Sequence, residues 1–207
     1  MRRSSVALLF LAVFPLLSCG GVPRTHYYTL RLPPAPAGSD PRTSFLLGVE
    51  RFRAAHVLRD DRILFYESPL QLNYYEYHRW SSDPATMLTE QVMRALRQMG
   101  IFSEVRLLPS REPTDYVLRG RLNNFEEIDY DAGGKVRVAL ELALLRSRDH
   151  KIVWTATREV ASAIREAGVS GVVDALNASS EQILREVLGG LATQVEKDFK
   201  AGQGQSQ

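Results

Sequence analysis

The chain has 207 residues, is 44% hydrophobic and 24% charged, and carries a formal net charge of +2. That is enough for one domain with a sizeable core, and a single cysteine rules out an intramolecular disulfide. Two of the 26 basic residues fall within residues 1–18 and none of the 24 acidic ones does, so the remainder balances at 24 against 24 and has no basic excess with which to hold nucleic acid.

The chain opens with MRRSSVALLFLAVFPLLSCGG: Arg2 and Arg3, an apolar run from Val6 to Leu17, then Ser18 before Cys19. This is the order of a secretory signal peptide, cleaved after residue 18. The run is too short, and too interrupted by Pro15, for a spanning helix of about 20 apolar residues. Leu16-Leu17-Ser18-Cys19 resembles the bacterial lipobox, with Leu17 in place of the usual small or hydroxyl residue. The resemblance implies acylation of Cys19, and several acyl chains anchor a protein far more firmly than one. A free or disulfide-bonded cysteine after ordinary cleavage is the alternative. Gly20, standing where an aspartate would favour inner-membrane retention, implies the periplasmic face of the outer membrane.

Residues 19–44 contain a short strand (HYYTLRL, from His26) and the proline-rich linker Pro33 to Thr43. An α+β domain is expected over 45–200, followed by a disordered tail over 201–207. FLLGVERF and RILFYE read as strands, and in LQLNYYEYHRW the period of two sets Leu70, Leu72 and Tyr74 inward and Tyr75, Tyr77 and Arg79 outward. Asp83-Pro84 supplies a cap and a first helical turn, Leu88, Val92 and Leu96 an apolar stripe, and Gly100 a stop, predicting a helix over 84–99. Strands are expected over 101–108, 114–128, 135–147 and 152–164, the last three as an antiparallel meander, with a period of two that sets Tyr116, Leu118, Gly120 and Leu122 on one face of the second and Val136, Val138, Leu140, Leu142 and Leu144 on one face of the third. From Gly171 to Phe199 the apolar spacing becomes helical, with Gly189-Gly190 marking a bend or a close approach. The sum is an α+β fold, a largely antiparallel sheet with two main helices packed on one face.

Catalytic signals are missing. No G-x-S-x-G elbow, phosphate-binding GKS/GKT loop, dinucleotide glycine fingerprint or H-E-x-x-H helix occurs, and the four histidines lack metal-ligand spacing. Glu126-Glu127 and Asp60-Asp61 point to opposite faces if they lie on strands, and are expected to be solvated charges. The reading is of a protein that is not an enzyme and needs neither cofactor nor metal. YYEYHRW is the densest aromatic stretch. Trp80 is expected to close the core where strand meets helix. For Tyr75, Tyr77 and Arg79 two readings stay open, a partner-docking face or plain solvent exposure, since tyrosine and arginine are enriched at interface hot spots.

Four features resemble the ABC-type transport auxiliary lipoprotein family, the PqiC-like proteins: the lipobox followed by Tyr27-Tyr28-Thr29-Leu30; Gly48-Val49 in the first core strand; Arg79-Trp80 before a helix begun by Pro84; and the C-terminal helix. Ser81-Ser82-Asp83 departs from the small-acidic-proline step usual after Arg-Trp. The resemblance implies an auxiliary component of an MCE-type ABC system that moves phospholipid or other hydrophobic molecules between membranes. Its partners would be an MCE-domain periplasmic protein with its permease and ATPase, and a homo-oligomer is compatible with it. The alternative is a structural or assembly lipoprotein of an envelope or secretion complex.

Overall fold

The computed structural model of the protein describes residues 23–33, 42–130 and 133–203. The expected signal peptide, Cys19, most of the linker, residues 131–132 of the Asp131–Gly134 turn and the last four residues lie outside the described residues. The elements, in chain order, are β1 (His26–Tyr28), β2 (Leu46–Val49), β3 (Arg53–Ala54), a 3-10 turn (His56–Leu58), β4 (Arg62–Ser68), β5 (Gln71–Trp80), α1 (Pro84–Met99), β6 (Glu104–Leu107), β7 (Tyr116–Ile128), β8 (Lys135–Arg146), β9 (Lys151–Ala163) and α2 (Val169–Gln203). This is the expected α+β fold.

Local chemistry explains the clearest boundaries. Asp83 Oδ1 accepts the Thr86 N–H at 3.0 Å, Pro84 takes the first turn, and Gly100 ends α1 at φ 59°, a left-handed conformation that glycine adopts without strain. β8 alternates as its sequence does: Val136, Val138, Leu140, Leu142 and Leu144 are buried on one face. These join Leu176, Ile183, Val187, Leu191 and Val195 of α2 and Leu88, Val92 and Leu96 of α1 in one core. α2 continues through Gly189-Gly190, and a Cβ at Gly190 would stand 3.6 Å from Trp154 Nε1, so the missing side chain is where β9 and α2 approach. Among the described residues no helix is long and apolar enough to cross a membrane.

The nine strands form one mixed sheet about β7. Along one edge β7 pairs antiparallel with β8, which pairs antiparallel with β9. Along its other edge three short strands follow one another in parallel: β2 (Leu47↔Tyr116), β3 (Arg53↔Arg121) and β4 (Phe65↔Glu127). β6 then pairs with β2, β5 with β4, and β1 with β5. The long ladders are antiparallel, as expected, while the parallel edge and β3 go beyond the sequence reading. Gly120, on the inner face of β7, lies against Phe52 so closely that a Cβ there would overlap the ring.

Two features of β5 and β7 correct the period-two reading. Leu70 is 98% exposed and Tyr74 44% exposed, so neither packs inward. Leu70 lies in the turn that precedes β5, and beyond Tyr74 the β4–β5 ladder is irregular. From Leu64↔Tyr74 to Arg62↔Arg79, β4 advances two residues and β5 five, so alternation is lost across Tyr75–His78. In β7 the pairing shifts between Leu122 and Asn124, which turns Phe125 and Glu127 toward the core and leaves Glu126 on the opposite face.

Trp80 is 1% exposed and packs on Phe125 with ring centroids 5.3 Å apart. Trp80→Ala should lower unfolding stability by about 3–5 kcal/mol, the range for a large aromatic truncated in a core. Urea denaturation checks this, and an unchanged midpoint would contradict Trp80's place in the core.

Candidate partner-binding site

The strand β5 carries all three residues expected to face outward, and the ladder irregularity separates them. Tyr75 turns inward: its hydroxyl donates to Glu127 Oε2 at 2.6 Å, its ring packs on Phe65 at 4.8 Å between centroids, and it meets His78 edge-on at 6.0 Å. Tyr75 is half-buried against the core and does not share an open face with the other two. Tyr77 and Arg79 remain partly exposed. Arg79 Nη1 pairs with Asp61 Oδ1 at 2.7 Å, a contact that at this exposure is worth about 0–1 kcal/mol and orients the guanidinium more than it stabilises the fold. The Asp61 carbonyl accepts the Trp80 N–H at 2.6 Å, so one residue fixes both members of the Arg79-Trp80 pair.

β1 lies beside this strand in parallel, with His26 opposite His78, Tyr27 opposite Arg79 and Tyr28 opposite Trp80. The His26 and His78 rings stack at 5.1 Å, and Tyr28 Oη lies 2.9 Å from His78 Nδ1. Burial, and then the neighbouring His26, hold His78 below the usual imidazole range. The histidines that look scattered in the sequence thus include one stacked pair. Beyond β1 the chain enters the core: Leu30 is 2% exposed, its carbonyl accepts from Gln91 Nε2 of α1 at 3.0 Å, and the Arg31 N–H donates to Asn177 Oδ1 of α2 at 2.9 Å.

Glu126 and Glu127 are both buried, at 4% and 5% exposure, which corrects the expectation of solvated charges. They do point to opposite faces. Glu126 accepts from Arg137 Nε at 2.8 Å, from Asn124 Nδ2 at 2.8 Å and from the Phe125 N–H at 2.6 Å, so its charge is compensated. On the core side Glu127 takes the Tyr75 hydroxyl, and burial raises its carboxyl above the usual range, against the lowering effect of that hydrogen bond and with Asp129 adding to the rise. The same burial and the Glu127 hydrogen bond raise the Tyr75 phenol. The pair lines a cleft of about 530 Å³ with Asp129, Tyr130, Glu166 and Gly168. The signal that sequence reasoning passed over is the Asn123-Asn124 doublet, a polar step that breaks the alternation just before the glutamates.

These neighbours show what the region does chemically. Its polar groups pair with one another, and its aromatic rings fasten β1 and β5 to the sheet. A family model for the ABC-type transport auxiliary lipoprotein component matches residues 28–188, from Tyr28 through most of α2. The chain belongs to that family. As an ABC-type transport auxiliary lipoprotein it is a lipid-anchored protein of the cell envelope, associated with an ABC transport system. A crystal structure of a Xanthomonas campestris protein of the DUF330 family superposes with a TM-score of 0.73 at 24% identity, covering 84% of this chain and 98% of that one. A second crystal structure, of an uncharacterised protein, gives a TM-score of 0.63 at 14% identity over 82% of this chain and 99% of that one. At these identities the likeness is one of fold. Among curated proteins none matches the chain significantly.

Glu127 supplies a pH test. Because its carboxyl is raised in the folded state, the fold binds more protons than the unfolded chain, and stability falls as pH rises from the usual carboxylate range toward the raised value. Glu127→Gln keeps an acceptor for Tyr75 and removes the charge. It should therefore stabilise the protein at pH 7–8, with the difference from wild type shrinking toward pH 4. Urea midpoints over that range check the sign.

Proposed function

We propose that this lipoprotein is acylated at Cys19 and held on the periplasmic face of the outer membrane. There it serves, without catalysis of its own, an MCE-type ABC system that moves phospholipid or other hydrophobic molecules between membranes. The observation that carries the reading is the family match over 28–188, which runs from Tyr28, the last residue of β1, through β2–β9 and most of α2. The order of apolar run, Ser18 and Cys19 supports the anchor, and Gly20 the outer membrane.

In this reading the domain is a docking station for the MCE-domain shuttle, with Tyr77 and Arg79 on the surface that meets it. Arg79 is already oriented by Asp61, so little conformational freedom is lost on binding, and Tyr77 offers contact area at low entropic cost. Tyr75 acts behind that surface, holding β5 to β7 through Glu127.

In-cell crosslinking of the tagged lipoprotein, followed by mild solubilisation and mass spectrometry, tests the partner. Recovery of an MCE-domain protein with its permease and ATPase is expected, and recovery of a secretion or assembly complex alone would overturn the reading. Tyr77→Ala should reduce the captured MCE protein several-fold while the melting temperature stays within about 2 °C of wild type, because the side chain is partly exposed. Cys19→Ala should move the protein from the membrane fraction to the soluble periplasm, as read by fractionation and immunoblotting.

A further inference from the structure

Three connections share one end of the domain. Tyr66 near the end of β4 lies opposite Ile128 at the end of β7, Ile128 lies opposite Lys135 at the start of β8, and Lys135 lies opposite Ala163 at the end of β9. The β4–β5 turn, the β7–β8 turn and the connection from β9 to α2 are therefore all on this side. The turn between β8 and β9, followed by Lys151 at the start of β9, is at the far end of β8, a strand of 12 residues and so about 40 Å long.

At the tip of the β4–β5 hairpin is Leu70, 98% exposed, the most exposed large apolar side chain among the described residues. Tyr130, 43% exposed, is on the β7–β8 turn of the same end. A single exposed leucine is ordinary on a protein surface. Its position relative to the N-terminus is the second observation. Because β1 runs parallel to β5 with His26 opposite His78, the chain before His26 leaves in the direction of the start of β5, which is the hairpin tip. Cys19 is seven residues before His26, a reach of at most about 25 Å. Leu70 is eight residues before His78, about 26 Å if fully extended and less with the ladder irregularity. The two lengths match, so acyl chains on Cys19 can lie in the plane of the hairpin tip.

We infer that this end of the domain sits on the bilayer, with Leu70 inserted below the headgroups and Tyr130 at the interface. The inference rests on the acylation of Cys19 proposed above. An apolar side chain on a hairpin tip and an amphipathic tyrosine ring suit that boundary. Glu67, Asp129 and Glu166 lie at this end with Lys135 and Arg165, so the local charge does not favour an anionic surface and the apolar insertion carries the contact. A protein partner covering Leu70 is the competing occupant, and a vesicle containing only this lipoprotein removes it.

The test uses the full chain, processed in cells, purified from the membrane and reconstituted in vesicles of phosphatidylethanolamine and phosphatidylglycerol. Leu70→Cys, Tyr130→Cys and Lys151→Cys each carry an NBD fluorophore, and quenching by doxyl-labelled lipid is read. All three side chains are exposed, and matching far-UV circular dichroism checks each variant's fold. The mass of the purified protein comes first: lack of an acyl adduct on the peptide bearing Cys19 overturns the anchoring and this inference with it. With the adduct present, the probe at 70 should be quenched at least threefold more than the probe at 151, and the probe at 130 should fall between them. Equal quenching at 70 and 151, or none at 70, overturns the membrane contact while leaving the anchor standing. The Tyr130 probe guards against a fluorophore that pulls its own position into lipid, since quenching at 70 with none at 130 also overturns the proposed orientation.

Discussion

The fold depends on the pairing of β7 along both of its edges. A strand of 13 residues leaves two rows of backbone donors and acceptors to satisfy. One row meets a single long partner, β8, while the other meets three short strands that the chain lays down in turn, β2, β3 and β4. A segment used this way can leave the strand plane between contacts, and it does so in the 3-10 turn His56–Leu58. The cost of so long an interior strand is that polar residues near its end are buried, one on each face. Glu126 is met by an arginine, an asparagine and a backbone amide, and Glu127 by a tyrosine hydroxyl. Unpaired, either would carry the full desolvation penalty.

The β5 irregularity and the N-terminal clasp are two parts of one arrangement. Extra residues in β5 allow Tyr75 to turn toward β7 and His78 toward β1, so a single aromatic group ties three strands together. The chain then runs on through Leu30 and Arg31, whose backbone groups bond to side chains of α1 and α2. A stretch that follows a short strand and precedes a linker has become part of the core. Ordering the chain so near the expected anchor limits how far the domain can tilt about its tether.

Sequence legibility followed how local each determinant was. The helix over 84–99 was readable because its cap, its first-turn proline and its terminal glycine are all within the segment. The inward face of β8 was readable because both of its neighbours pair with it at a steady register over most of its length. Tyr75 was misplaced because its direction depends on how many residues of β5 oppose β4, which no period within β5 records. Glu126 and Glu127 were misjudged for a similar reason: their partners, Arg137 and Tyr75, are 11 and 52 residues away. β3, at two residues, is too short to have a period. In the candidate site, Arg79-Trp80 could be singled out from sequence, while Asp61, read there as a solvated charge, gave no sign that it holds both.

The geometry of β1 also has a mechanical side. Three residues make a weak strand if peeled from one end, because each register is then loaded alone. The chain leaves β1 along the strand axis, so tension on the N-terminus acts on His26, Tyr27 and Tyr28 in shear, all at once, with the stacked histidines and the Tyr28 contact sharing the load. A domain moored in a bilayer through its N-terminus would be held by a three-residue strand in that strand's strongest direction.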